Sequence, residues 1–162
     1  MLSMIALAAA LSSAPFAIAD TPAIGTNTHK PVSAKALQGD FARSLTIEIE
    51  VVSASSLVLD YGSLTGGQWQ QPPMAGSVIE PGDSMTYVNG VENPFDALGG
   101  MMMLSLPSGA TIAIAFEWAF GGSVACTANG ENLQTVAVTN ELVNTMGNAP
   151  TCLVTITDQG RE

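Results

Sequence analysis

The chain has 162 residues, 47% of them hydrophobic and 11% charged, with 14 acidic side chains against four basic ones and one histidine, for a formal net charge of -10. That length suits one domain with a real hydrophobic core and not two. The basic residues Lys30, Lys35, Arg43 and Arg161 sit at the margins and leave positions 44–160 without Lys, Arg or His, so phosphate backbones and anionic lipid surfaces, which need cations to meet them, are poor partners and nucleic acid is set aside.

Taken in order, the first twenty residues, MLSMIALAAALSSAPFAIAD, hold an apolar run and then Ala17, Ile18 and Ala19, the small-x-small pattern of a signal peptidase site. They read as a signal peptide over 1–19 with cleavage before Asp20, although no Lys or Arg precedes the run. The run falls short of the roughly 20 apolar residues that span a bilayer, which leaves a retained anchor as the lesser reading and a secreted protein as the main one. Residues 20–42 mix Pro, Thr, Ser, Ala and Lys without a period and read as an extended leader arm. The lone His29 lies there, where a loose arm could not hold a general base within reach of a nucleophile.

The domain is expected over 43–162. Residues 43–52 alternate Leu45, Ile47, Ile49 and Val51 against Ser44, Thr46, Glu48 and Glu50, a core strand with a wet, acidic face. A turn at 53–56 leads to a second short strand at 57–60, paired with the first as a hairpin or its sandwich equivalent. Residues 65–81, TGGQWQQPPMAGSVIEP, carry too many Gly and Pro residues for a helix. Trp69 in their midst is either a plug for the core or an exposed contact, and its ring, apolar with one polar N–H, suits both.

A strand around Met85 and Tyr87 follows, then a loop over 90–100 containing Phe95, then a buried strand over 101–106 with three consecutive methionines. The clearest strand begins at Thr111, with Ile112, Ile114, Phe116 and Trp118 on one face and Thr111, Ala113, Ala115 and Glu117 on the other, and it ends near Phe120, Gly121 and Gly122. Strands are also expected at 124–128, 133–138 and 151–157, with a turn of helix over 141–146. Cys126 and Cys152, both in strands, are expected to pair in an oxidising compartment; two separate buried thiols are the alternative. Eight or nine short strands with regular turn signals indicate an all-β fold, a single-domain antiparallel sandwich or barrel.

Chemistry is scarce. Positions 44–160 offer no histidine or lysine as a base for a serine or cysteine nucleophile. Glu48, Glu50 and Glu117 read as solvated strand-face acids, and Asp60, Asp83, Glu92 and Asp96 match no calcium-loop spacing, so neither an enzyme, a metal site nor a cofactor is expected. Recognition by aromatic rings remains: Trp69, Tyr87, Phe95, Trp118 and Phe120 all lie in loops or near strand ends, where they serve either as core plugs or as a patch for lipid headgroups or sugars.

The order of motifs is informative here. SLTIEIEVVSASSLVLDYGSL, then GGQWQQPP, then IEPGDS, then a Gly-rich loop before SLPSGATIAIAFEWAFGGS, resembles the aegerolysin family and its bacterial crystal-protein relatives over residues 43–128. The resemblance implies an actinoporin-like β-sandwich that recognises sphingolipid-rich or otherwise zwitterionic membranes and, in several members, forms pores with a larger perforin-like protein. It also implies Trp118 and Phe120 as lipid-facing residues and aligns Trp69 with the family's G-x-W tryptophan; Tyr87 is added on its place near a strand end. Where the family often has Asn-Pro or Cys-Pro, this chain has Ala119, and apolar Val124 and Ala125 replace a polar segment. The resulting expectation is a secreted, non-enzymatic lipid-binding protein, the targeting half of a pore-forming toxin; the alternative is a secreted carbohydrate- or protein-binding sandwich without lytic activity.

Overall fold

The computed structural model describes residues 41–160. The expected signal peptide, the leader arm up to residue 40 with His29, Lys30 and Lys35, and Arg161 lie outside the described residues. Among the described residues there are ten strands and no helix: β1 (Arg43–Val51), β2 (Leu57–Gly66), β3 (Gln68–Trp69), β4 (Val78–Ile79), β5 (Ser84–Val91), β6 (Leu98–Ser105), β7 (Thr111–Trp118), β8 (Ala125–Glu131), β9 (Val136–Val143) and β10 (Thr151–Asp158).

They form two five-stranded sheets, β3-β5-β1-β10-β9 and β4-β2-β6-β7-β8, packed as a sandwich. The period-two pattern of β1 and β7 decides the inward faces, since a strand with one apolar side must bury it against another layer. Leu45, Ile47, Ile49 and Val51 from β1 meet Ile112, Ile114 and Phe116 from β7 in one core with Met102, Leu104, Val154 and Ile156. Each such side chain, withdrawn from water, contributes about 1.5–3 kcal/mol.

Several details differ from expectation. The pairing of β1 with β10 is parallel, Thr46 opposite Thr151 through Val51 opposite Ile156, whereas the other pairs are antiparallel. β1 and β2 enter different sheets, the sandwich equivalent of a hairpin. Two of the ten strands are two-residue edge pieces inside the Gly/Pro segment, too short to leave a periodic trace. Leu98, Gly99 and Gly100 belong to β6 and not to the preceding loop. The expected helical turn at 141–146 is instead the end of β9, where Leu142 opposite Cys152 and Val143 opposite Thr151 complete the β10 ladder before a turn at Asn144. The outer face of β1 is wet only at Glu48 and Glu50; Ser44 and Thr46 are buried.

The strand directions place the connections 92–97, 119–124 and 144–150 at one end of the sandwich and 52–56, 106–110 and 132–135 at the other. Along one long side, β8 and β9 face each other from different sheets without a ladder between them. Asn140 fills that gap: its Nδ2 donates to the Cys126 carbonyl at 2.9 Å and its Oδ1 accepts from the Ala128 N–H at 3.1 Å, as a neighbouring strand would. Beside it, Cys126 of β8 and Cys152 of β10 form the expected disulfide, joining the two sheets.

Candidate functional site

The end that carries 92–97, 119–124 and 144–150 is organised around Arg43, the first residue of β1 and the one cation among the described residues. Only 6% exposed, its guanidinium reaches from one sheet to the loops of the other. Nη1 donates to the carbonyls of Pro94 at 3.0 Å and Asp96 at 3.3 Å, and Nη2 to those of Trp118 and Ala119, both at 3.4 Å. Its Cζ stands 3.9 Å from the centroid of the Trp118 ring. A charge taken out of water needs such compensation, and here four carbonyl dipoles and the negative face of an indole supply it.

The loops that Arg43 ties down each present a phenylalanine. In 92–97, Asn93 Oδ1 accepts from the Phe95 N–H at 3.2 Å and the Asp96 N–H closes on the Asn93 carbonyl at 3.1 Å, a self-bonded turn. In 119–124, the Gly122 N–H bonds the Ala119 carbonyl at 3.1 Å while Gly121 takes φ +71°, a left-handed conformation that glycine adopts without cost. Phe95 and Phe120, 64% and 60% exposed, meet edge to face with centroids 4.8 Å apart. Trp118, half-buried at the end of β7, stacks on Arg43 two residues before Phe120.

Trp69 and Tyr87 stand elsewhere. The Trp69 indole, half-buried on β3, contacts Tyr87 and Phe116 at centroid distances of 6.2 and 5.8 Å and closes the open side between the sheets. Beside it, Gly62 makes room for Pro73: a Cβ there would come within 2.5 Å of Pro73 Cγ, while reaching Trp69 Cζ2 only at an ordinary contact of 3.6 Å. Tyr87 is 7% exposed, its hydroxyl bonded to Met85 Sδ, and burial pushes its phenol up to about 12. The five aromatic residues expected in loops or near strand ends thus separate into a set at this end, exposed Phe95 and Phe120 with half-buried Trp118, and an interior set, Trp69 and Tyr87.

The sequence showed Arg43 only as one of four basic residues at the margins of an acidic body, and its role was not legible, because nothing local ties it to loops 51 to 76 residues away. Met146, 103% exposed in the third loop, also lacked a signal. Among the described residues no three His, Cys, Asp or Glu side chains converge as a metal would require. Their one buried side-chain polar atom without a hydrogen bond, Asn89 Oδ1, faces Gly67 in close packing; the same amide donates to the Gly66 and Gly99 carbonyls and so clamps β5 to the opposite sheet.

No protein-family model and no curated protein matches the chain. Solved structures do. IP-1A from Alcaligenes faecalis is similar with a TM-score of 0.58 and 17% identity, covering 75% of this chain and 95% of that one. RahU protein, solved in complex with TRIS, gives 0.60 and 12% over 75% and 99% of the two chains. The lipid binding protein Nakanori gives 0.53 and 9% over 73% and 71%. At these identities the likeness is one of fold.

Proposed function

We propose that this chain is a secreted, non-enzymatic lipid-binding β-sandwich that meets a membrane with the end bearing Trp118 and Phe120. The observation that carries the reading is the exposed, edge-to-face pair of Phe95 and Phe120, held on loops bonded to a buried arginine that also stacks on Trp118. Rings fixed in this way can enter the boundary between headgroups and acyl chains at little entropic cost. Trp69 and Tyr87 contribute from beneath, as packing that keeps β3 and β5 in place.

Among the described residues, the rim of this end carries Glu92, Asp96 and Glu117, all exposed, and no exposed cation. It therefore suits a zwitterionic surface and not an anionic one. The fold shared with a lipid binding protein supports the reading, as does the aegerolysin-like order of motifs, which extends it to sphingolipid headgroups and to a larger perforin-like partner in a two-part toxin. The signal-like segment and the disulfide support secretion.

The test is co-sedimentation of the full chain with phosphatidylcholine vesicles that contain or lack sphingomyelin and cholesterol, beside a folded Trp118→Ala, Phe120→Ala variant. Binding that the variant loses, and that persists in 1 M salt where electrostatic contacts are screened, bears the reading out. A wild type that stays in the supernatant with every composition refutes it.

A further inference from the structure

Among the described residues, three of the seven large apolar side chains that stand exposed, Phe95, Phe120 and Met146, sit one on each of the three loops at the same end. The start of β1 and the disulfide bind those loops to one another. Arg43 holds the backbone of 92–97 through the Pro94 and Asp96 carbonyls and that of 119–124 through the Ala119 carbonyl. The next residue, Ser44, donates its N–H to the Asn148 carbonyl at 2.9 Å, two residues from Met146. Cys126 and Cys152, each two residues beyond its loop, join the roots of 119–124 and 144–150.

Resting on the lipid-binding reading above, we propose that the three loops are one rigid contact unit, positioned by Arg43, in which Met146 is a third membrane-entering side chain beside Phe95 and Phe120. A flexible thioether with no polar requirement fits a disordered acyl boundary, and its near-complete exposure leaves it without a packing role in the sandwich. The partner is the interface of a net-neutral bilayer, because among the described residues the exposed charges at this end are carboxylates and the one cation is buried. Arg43 is a positioning residue: buried under Trp118, it acts on the membrane through the loops it holds.

Partition constants of the full chain into the phosphatidylcholine, sphingomyelin and cholesterol vesicles test both parts. Met146→Asp, on an exposed side chain that the fold does not need, lowers partition by about tenfold or more, as expected for trading an inserted apolar group for a charge. Val52→Asp, 57% exposed at the opposite end, stays within about twofold of wild type. Arg43→Gln speeds amide exchange at Asp96 and Gly122 by about tenfold while β10 keeps its protection, and Arg43→Lys recovers only part of the partition because one ammonium cannot serve four carbonyls.

Met146→Asp equal to wild type while Trp118→Ala, Phe120→Ala loses binding would remove Met146 from the contact and leave the lipid reading standing. Equal loosening of β10 and the loops in Arg43→Gln would make Arg43 a general stabiliser and overturn its positioning role. Wild-type chain that binds no vesicle overturns the lipid reading and the contact unit together.

Discussion

Replacing Cys126 and Cys152 by alanine removes a covalent tie between residues 26 apart that belong to different sheets. On the chain-entropy account, closing a loop of that length costs the unfolded ensemble about 3.5 kcal/mol of freedom, all of it returned when the bridge is absent. Both residues are buried in the core, Cys152 completely, so the two missing sulfurs also leave small voids that add to the loss. For a domain of this size each kcal/mol moves the midpoint by about 3–6 °C, so Tm is expected to fall by about 10–20 °C. The assay is calorimetry on oxidised wild type and the double variant at one protein concentration. A fall of less than about 3 °C would refute the reasoning, because it would mean that the unfolded chain is already so restricted between these residues that the cross-link removes little of its freedom.

Other outcomes are equally definite. Tyr87 is held neutral by burial, so its folded-state value lies above its unfolded value near 10; the associated stability, about 2–3 kcal/mol, is full below pH 10 and is lost as the pH rises toward 12, and urea midpoints of wild type and Tyr87→Phe measured from pH 8 to 12 should diverge only there. Trp69→Ala, which opens the side between the sheets, is expected to cost about 3–5 kcal/mol in denaturant unfolding, whereas Phe120→Ala, on a largely exposed ring, should cost under about 1 kcal/mol; the reverse order would contradict the division between interior and exposed aromatics. Asn140→Ala removes two hydrogen bonds from the β8 edge and should lower stability by about 1–3 kcal/mol, read as a shift in urea midpoint, with faster exchange at the Ala128 amide.

Much of the sandwich was readable because its strands obey one rule. The alternation from Thr111 to Trp118 and from Leu45 to Val51 marks inward and outward faces in the sequence itself, and the structure keeps them. The failures came where distant pairing decides the matter. Ser44 and Thr46 look solvent-facing by period yet are buried, and residues 141–143 complete a strand only because β10 offers them a ladder. At the end proposed to meet a membrane, Trp118 and Phe120 could be singled out by type and place, but Trp69 and Tyr87 share those attributes and lie in the interior. What separates the two sets is a set of contacts between strands far apart in the chain.

The parallel pairing of β1 with β10 has a bearing on how the protein is made. β1 is the central strand of its sheet, and one of its two neighbours is the last strand of the chain. β10 follows the other nine described strands in the chain, so until it is made one hydrogen-bonding edge of β1 has no partner and the apolar faces of both sheets lack part of their cover. Such a polypeptide cannot complete its fold domain-segment by segment from the N-terminus; it closes in one late, non-local step, which places it among slow folders and prolongs its need for a chaperone.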